Sequence, residues 1–568
     1  MTQALIKTLK RWRENSPPNL VLERTLMCAS FALGLLHAWV GRDAMNPDGM
    51  SYLDVGNSFF HREWTVAINA WWSPLYPWLL GIVLGIAKPS PKWEFPLVHL
   101  VNFGVFAGSL FAFRFFLHAL LRFVRERASA ALPEWALILL AYPVFLWTAL
   151  EVEKMYAVTP DLATEACLSL TAGMLLCLRP NAIGKFVLFG LILGVGYWVK
   201  AIFFPLGLVT LAVGYLWKRS TPNWGRGMAL AGLVFVCSAA PLIFLLSQQK
   251  GRVTFGDSGR VNYAWAVSPR TFTRNWQGKE AGSGIPVHPT RQLLTYPPLF
   301  EFDGPIVGTY PPWTDPSYWN EGLQWHFKVK PQLEVLATTV PSEARLLIRD
   351  RPELVTGFII LALLGGRLWL AGLRELWPFI GLPILGMGFY LPVIENDRYL
   401  GGFVLVLFLA LLAAVRLRPE SQTIAVYVAV AVFVMMVLGI GDYAIRTVMH
   451  HPAIPGNSPD SALTDVIAAG ELGRMGVEPG SKVAVIGDGT GAYWAHLAKL
   501  RIVAEIMGTN HGSREFWNAS EEVRQQVYDA FRQAHAKLVV TVCPPCPQGA
   551  PPGWEPIRET LYCVRRLK

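Results

Sequence analysis

The chain has 568 residues, 53% of them hydrophobic and only 16% charged, with a formal net charge of +10. Soluble globular chains carry about a quarter charged residues, so this composition excludes an ordinary soluble enzyme. The basic balance does not point to nucleic acid, because Lys and Arg collect in short loops between apolar runs, as in the cytoplasmic loops of membrane proteins.

Lys7, Lys10, Arg11, Arg13 and Arg24 lie around the start of the first apolar run, near Leu20. That run is long enough to span a bilayer and lacks a small-residue cleavage site, which predicts an anchored first helix with a cytoplasmic N-terminus. Basic loops recur at Arg122, Arg125 and Arg127, at Arg179 and Lys185, at Lys218, Arg219 and Arg226, at Arg367 and Arg374, and at Arg416 and Arg418. An even number of crossings must separate them. Residues 74–88, PLYPWLLGIVLGIAK, break this parity if they count as a span. The segment is short, carries Pro74 and Pro77 and follows Trp71 and Trp72, so it reads as an interfacial or re-entrant helix on the outer face. Spans then fall near 20–40, 96–121, 134–150, 162–178, 184–200, 201–217, 227–246, 353–372, 376–394, 400–416 and 423–444. The expected fold is a polytopic α-helical membrane protein with about 11 transmembrane helices and an extracytoplasmic C-terminus. Its membrane domain is 1–445 and its outer α/β domain is 446–568. Residues 41–95, 151–161 and 247–352 are the remaining outer segments.

Ionisable residues sit where these segments meet the spans. In the first loop, GRDAMNPDGMSYLDVGNSFFHREW, Asp43, Asp48 and Asp54 lie near the membrane, and a helix starting after Pro47 would be capped by Asp48 with Tyr52 one turn on. In TPDLATEA, Pro160 suits a first helical turn, and Asp161 and Glu165 share one side of the next span. The helix dipole accounts for Asp161 but poorly for the deeper Glu165. Lys200 falls at the outer end of a hairpin of two apolar runs, and Arg398 starts another span beside Glu395, Asp397 and Tyr399. Each cation alone reads as an anchor to lipid headgroups. Together with the carboxylates they form a constellation suited to acid/base work and to holding a phosphate.

This succession resembles the GT-C fold membrane glycosyltransferases, especially the branch similar to bacterial protein O-mannosyltransferases and the lipid A aminoarabinose transferase. PDGMSYL at 47–53 is similar to the family's first-loop PD-x-x-x-YL, SPLYPWLLGIVLG to its proline-led juxtamembrane helix, and DRYLGGFVLVLFLALLAA to its late RYL-type span. The resemblance covers roughly residues 20–418. It lacks the adjacent acidic pair of some branches, and Lys200 is followed by Ala201 and Ile202, not Gly-Pro. It implies transfer of a sugar from a polyprenyl-phosphate donor to a glycan, lipid or protein acceptor at the outer face of the cytoplasmic membrane. It further implies Asp48 as catalytic base, Lys200 and Arg398 on the donor phosphate, Asp161 and Glu165 assisting the acceptor or a divalent ion, and Tyr52 and Tyr399 in support. No metal is required. The competing reading, a transporter or flippase, lacks the internal repeats expected of one.

In the C-terminal region, KVAVIGDGTGAYWAHLAKLRIVAEI reads as strand, Gly-rich turn, helix, strand. Gly487, Gly489, Gly491 and Glu505 mimic a nucleotide fingerprint, but GDGTG is not the full G-x-G-x-x-G, and a tight turn is the better reading. Cys543 and Cys546 form a C-x-x-C without partner ligands for zinc, so a disulfide is expected in this compartment. Cys28, Cys167, Cys177 and Cys237 read as packing residues.

Overall fold

The computed structural model describes residues 18–127, 131–267, 274–278, 282–288, 291–302, 304, 306–394, 396–450, 459–507, 510–543 and 551–567. Glu395 and Cys546 lie outside them. Helices follow the apolar runs, because only a helix satisfies every backbone polar group within one segment. In chain order they are α1 (Pro18–Val40), α2 (Pro47–Phe60), α3 (Leu75–Ala87), α4 (Pro91–Arg127), α5 (Glu134–Leu146), α6 (Asp161–Cys177), α7 (Ile183–Val199), α8 (Phe203–Trp217) and α9 (Trp224–Lys250). The large loop, residues 247–352, carries α10 (Ser258–Val267) and α11 (Val329–Ile348), and beyond them come α12 (Pro352–Gly365), α13 (Leu368–Glu375), α14 (Trp377–Gly388), α15 (Gly401–Ala414) and α16 (Gln422–His450).

Among the described residues five helical runs are individually long and apolar enough to cross a bilayer: α1, α4, α5 with its π-helical extension to Val152, α9, and 419–449 around α16. The shorter α7, α8, α14 and α15 are also apolar. The more polar α6 packs among α4, α7 and α15, which shields its carboxylates from lipid. Two expected spans are corrected. The run 353–372 breaks at Gly366, whose φ of 57° and ψ of −129° suit glycine alone, and α13 turns 116° from α12. The run 376–394 ends as helix at Gly388, and Phe389 to Ile394 turn into the cavity described below. Of the cysteines read as packing residues, Cys28 and Cys237 are exposed on α1 and α9.

α3 lies against α2, and the contact needs Gly56 and Gly81: a Cβ on Gly81 would sit 2.0 Å from the Gly56 carbonyl oxygen. Both ends of α3 belong to one side. Ser73, just before it, lines the cavity, and Glu94, just after it, bonds His496 of the C-terminal region. α4 then carries the chain roughly 55 Å away at ~1.5 Å per residue, so Arg125 stands at the far end. With the basic loops on the cytoplasmic side, as the sequence predicts, a cysteine at the 91% exposed Val253 should react with an impermeant thiol reagent on intact cells, in a background lacking Cys28 and Cys237, while one at Arg125 should not. Equal labelling of both contradicts this topology.

The C-terminal region adds α17 (Pro459–Arg474), α18 (Tyr493–Leu497), α19 (Asn510–Asn518) and α20 (Glu521–Gln533). Among the described residues its sheet has seven strands: β1 (Arg291–Thr295), β2 (Pro298–Glu301), β3 (Lys482–Ile486), β4 (Arg501–Ile506), β5 (Leu538–Val542), β6 (Glu555–Pro556) and β7 (Tyr562–Arg566), in the order β1-β2-β4-β3-β5-β7-β6. β4, β3 and β5 run parallel, and the β1–β2 hairpin, which comes from the large loop, joins antiparallel to β4. The large loop and the C-terminal region thus share one sheet. Met50, Leu53, Tyr76 and Phe95 of the first outer loop pack into the same core as Val483, Val485, Tyr493 and Trp494. A disulfide joins Cys543 to Cys563 across β5 and β7.

Candidate active site

Pro47 occupies the first position of α2, where its missing N–H is not needed. The N-cap position is Asn46, whose side-chain oxygen accepts from the Val158 amide at 2.8 Å. Asp48 is therefore not the cap; it stands in the first turn with its carboxylate free for other partners. Its Oδ2 pairs with Arg398 Nη2, and its Oδ1 accepts from Trp313 Nε1 at 3.3 Å. Arg398 sits in the 3-10 turn Asp397–Tyr399 that leads into α15. Its Nε lies 3.6 Å from Asp161 Oδ2, and Lys200 Nζ donates to Asp161 Oδ1 at 2.5 Å.

The four predicted residues thus form an alternating chain, carboxylate, guanidinium, carboxylate, ammonium, spanning 350 positions of sequence. Their side chains are 3–19% exposed. All four line one cavity of about 620 Å3. Tyr52 and Tyr399 line it too: the Lys200 ammonium lies 3.9 Å from the Tyr399 ring centre, and Tyr52 meets Trp72 edge-on at 4.9 Å. Asp161 Oδ2 and Arg398 Nε are buried and face each other at 3.6 Å, an ion pair just beyond hydrogen-bond length.

Glu165 does not join the site. Four residues beyond Asp161, it is one turn deeper, fully buried, and accepts from Ser109 Oγ at 3.0 Å. α15 approaches it through Gly402, where a Cβ would stand 2.9 Å from the Glu165 Cα. Asp43 pairs with Arg42 outside the cavity, and Asp54 is engaged by Thr309 and His496.

The large loop and the segment before α3 supply more of the cavity lining. Arg252, bonded to Asp257 at 2.6 Å, and Arg260 line it from one side. Trp71, Trp72, Trp265 and Trp313 make an aromatic wall, with Trp265 and Trp313 parallel within 6° at 6.4 Å. The indoles offer flat apolar faces of the kind that sugar rings pack against.

No protein-family model matches the chain, and no curated protein matches it significantly. Among solved structures it is similar to ArnT from Cupriavidus metallidurans bound to undecaprenyl phosphate, at 14% identity and a TM-score of 0.48, over 94% of this chain and 97% of that one. The apo state of the same protein matches at 15% identity and a TM-score of 0.45, over 90% and 92%. The Archaeoglobus fulgidus oligosaccharyltransferase tethered with an acceptor peptide matches at 12% identity and a TM-score of 0.38, over 90% and 68%.

Among the described residues no group of three or more His, Cys, Asp or Glu is arranged as metal ligands. The nucleotide-like turn after β3 is filled from the large loop. A Cβ on Gly489 would meet the Tyr310 ring at 2.4 Å. Glu505, whose burial holds its carboxyl above the usual range, accepts from Tyr310, from Asn275 at 2.9 Å and from the Gly489 amide at 3.3 Å. Arg274 pairs with Asp488 at 2.6 Å.

Proposed function

We propose that the chain is a glycosyltransferase that moves a sugar from a polyprenyl-phosphate donor to an acceptor hydroxyl at the outer face of the cytoplasmic membrane. The observation that carries this reading is the alternating ion chain Asp48–Arg398–Asp161–Lys200 in one tryptophan-walled cavity. The cavity floor is apolar, with Ile202, Pro205, Phe389 and Ile394 at the ends of membrane helices, which suits a prenyl chain.

In this reading Asp48 Oδ1 takes the proton of the acceptor hydroxyl as its oxygen bonds to the anomeric carbon. The bond from that carbon to the phosphate oxygen breaks, and the electron pair leaves with polyprenyl phosphate. The donor phosphodiester carries one negative charge and the released monoester gains a second. Lys200 and Arg398 face that growing charge from fixed positions. Asp161 anchors both cations, so its role is to hold them in place. The test is mass spectrometry of cell-envelope glycans and lipids with and without the chain. One glycosylated species should disappear on deletion and return with the wild type but not with Asp48→Asn. An unchanged envelope profile would count against the transferase.

A further inference from the structure

We propose that His496 of the C-terminal domain is a positioning residue for this site, acting through the segment 309–314 on Trp313 and thereby on Asp48. The inference rests on the transferase reading above and assigns the C-terminal domain a role within it.

His496, on α18, is wedged between two carboxylates of the membrane domain. Its Nδ1 lies 3.0 Å from Asp54 Oδ1 and its Nε2 2.7 Å from Glu94 Oε1, with the side chain 11% exposed. Burial alone would lower its pKa, but Glu94 and Asp54 outweigh that and push it up to about 10, so the ring carries a proton at neutral pH. Asp54 passes the contact on. Its Oδ2 accepts from the Thr309 amide at 2.7 Å, and its Oδ1 accepts from Thr309 Oγ1 at 3.0 Å. The same threonine's carbonyl accepts from Ile502 of β4 at 2.8 Å.

Four residues on, the Trp313 carbonyl accepts from Ser51 Oγ at 2.8 Å and from Trp72 Nε1 at 3.1 Å, and its indole donates to Asp48 at 3.3 Å. Gly308 permits the tight path: its φ is 137°, and a Cβ there would stand 2.5 Å from Thr314 Oγ1. Asp54 and Asp48 lie on the same helix, α2. The domain therefore grips the helix that carries the base and the loop that carries the base's indole partner. Neither His496, Asp54 nor Glu94 lines the cavity.

The test uses the full-length protein and a two-by-two set of variants, His496→Ala and Trp313→Phe. Displacing Trp313 by about an ångström should lower kcat at least ~10-fold in His496→Ala, with the donor KM within about threefold, because Lys200 and Arg398 are untouched. In the Trp313→Phe background the same substitution should cost less than about threefold, the non-additivity of residues acting in series. Equal losses in both backgrounds, or no loss, overturn the proposal. If His496→Ala does not accumulate in membranes, His496→Gln is measured against the same limits. Hydrogen exchange supplies a readout that needs no substrate: His496→Gln should speed exchange across 309–319 and leave β3 and β5 unchanged. Unchanged exchange in 309–319 overturns the positioning role, whereas a wild type inactive on every donor with faster exchange in the variant overturns the transferase reading alone.

Discussion

Asp48→Asn should reduce sugar transfer by about 10²–10⁴-fold, the usual contribution of a positioned general base. The amide keeps the shape of the side chain and its bond from Trp313, so the cavity wall survives. It cannot take the acceptor proton. Arg398 loses one counter-charge but keeps Asp161 at 3.6 Å, and Asp161 keeps Lys200, so the donor-binding cations stay in place. Donor affinity should change little while kcat collapses, and calorimetric or exchange-based stability should stay close to wild type. Asp54→Asn gives the contrast. Its carboxylate is buried in bonds to Thr309 and His496 and not in the cavity, so the substitution should cost stability and loop contacts and lower kcat only as far as His496→Ala does, well short of the Asp48→Asn loss. If Asp48→Asn turns over normally, the base lies elsewhere.

Lys200→Ala should lower kcat/KM by about 10²–10³-fold, as the loss of a preorganised donor to a developing oxyanion does elsewhere. Both KM for the donor and kcat should move, because the phosphate is present in the ground state and gains charge in the transition state. Arg398→Lys is the sharper companion variant. It keeps the charge but loses the planar fork that meets Asp48 with one nitrogen and Asp161 with another. Activity lost in Arg398→Lys as deeply as in Arg398→Ala would assign the role to geometry. Recovery in Arg398→Lys would assign it to charge alone. Neither variant is expected to alter the packing of Tyr399 on Tyr390, whose ring centres lie 5.3 Å apart.

The sequence made the ion chain legible because charged residues at the ends of apolar runs are costly and need a reason. Asp161, Lys200 and Arg398 each stood out in that way, and the order of the motifs around them linked Asp48 to the set. Depth was not legible. Helical spacing put Glu165 on the same side as Asp161, but only packing against Ser109 and Gly402 shows it one turn below the cavity. The break at Gly366 was hidden inside an apolar window whose composition reads as one continuous span. Pairing across long separations was equally hidden. RQLLT and PLFE are too short to identify as strands, and β4, the partner of PLFE, lies about 200 positions away. Arg252, Arg260 and Trp313 meet at the cavity and His496 meets Asp54 across long stretches of chain, and such contacts appear only in three dimensions.

The most direct measurement is release of polyprenyl phosphate from a panel of polyprenyl-phosphate sugars by the purified protein, with envelope lipids and glycans as acceptors. The wild type should release it from one donor in step with formation of a glycosylated acceptor. Asp48→Asn should bind that donor with near-normal affinity and release almost none. Equal release by the two proteins, with the donor bound to both, would contradict the assignment of Asp48 as the base at the centre of the ion chain.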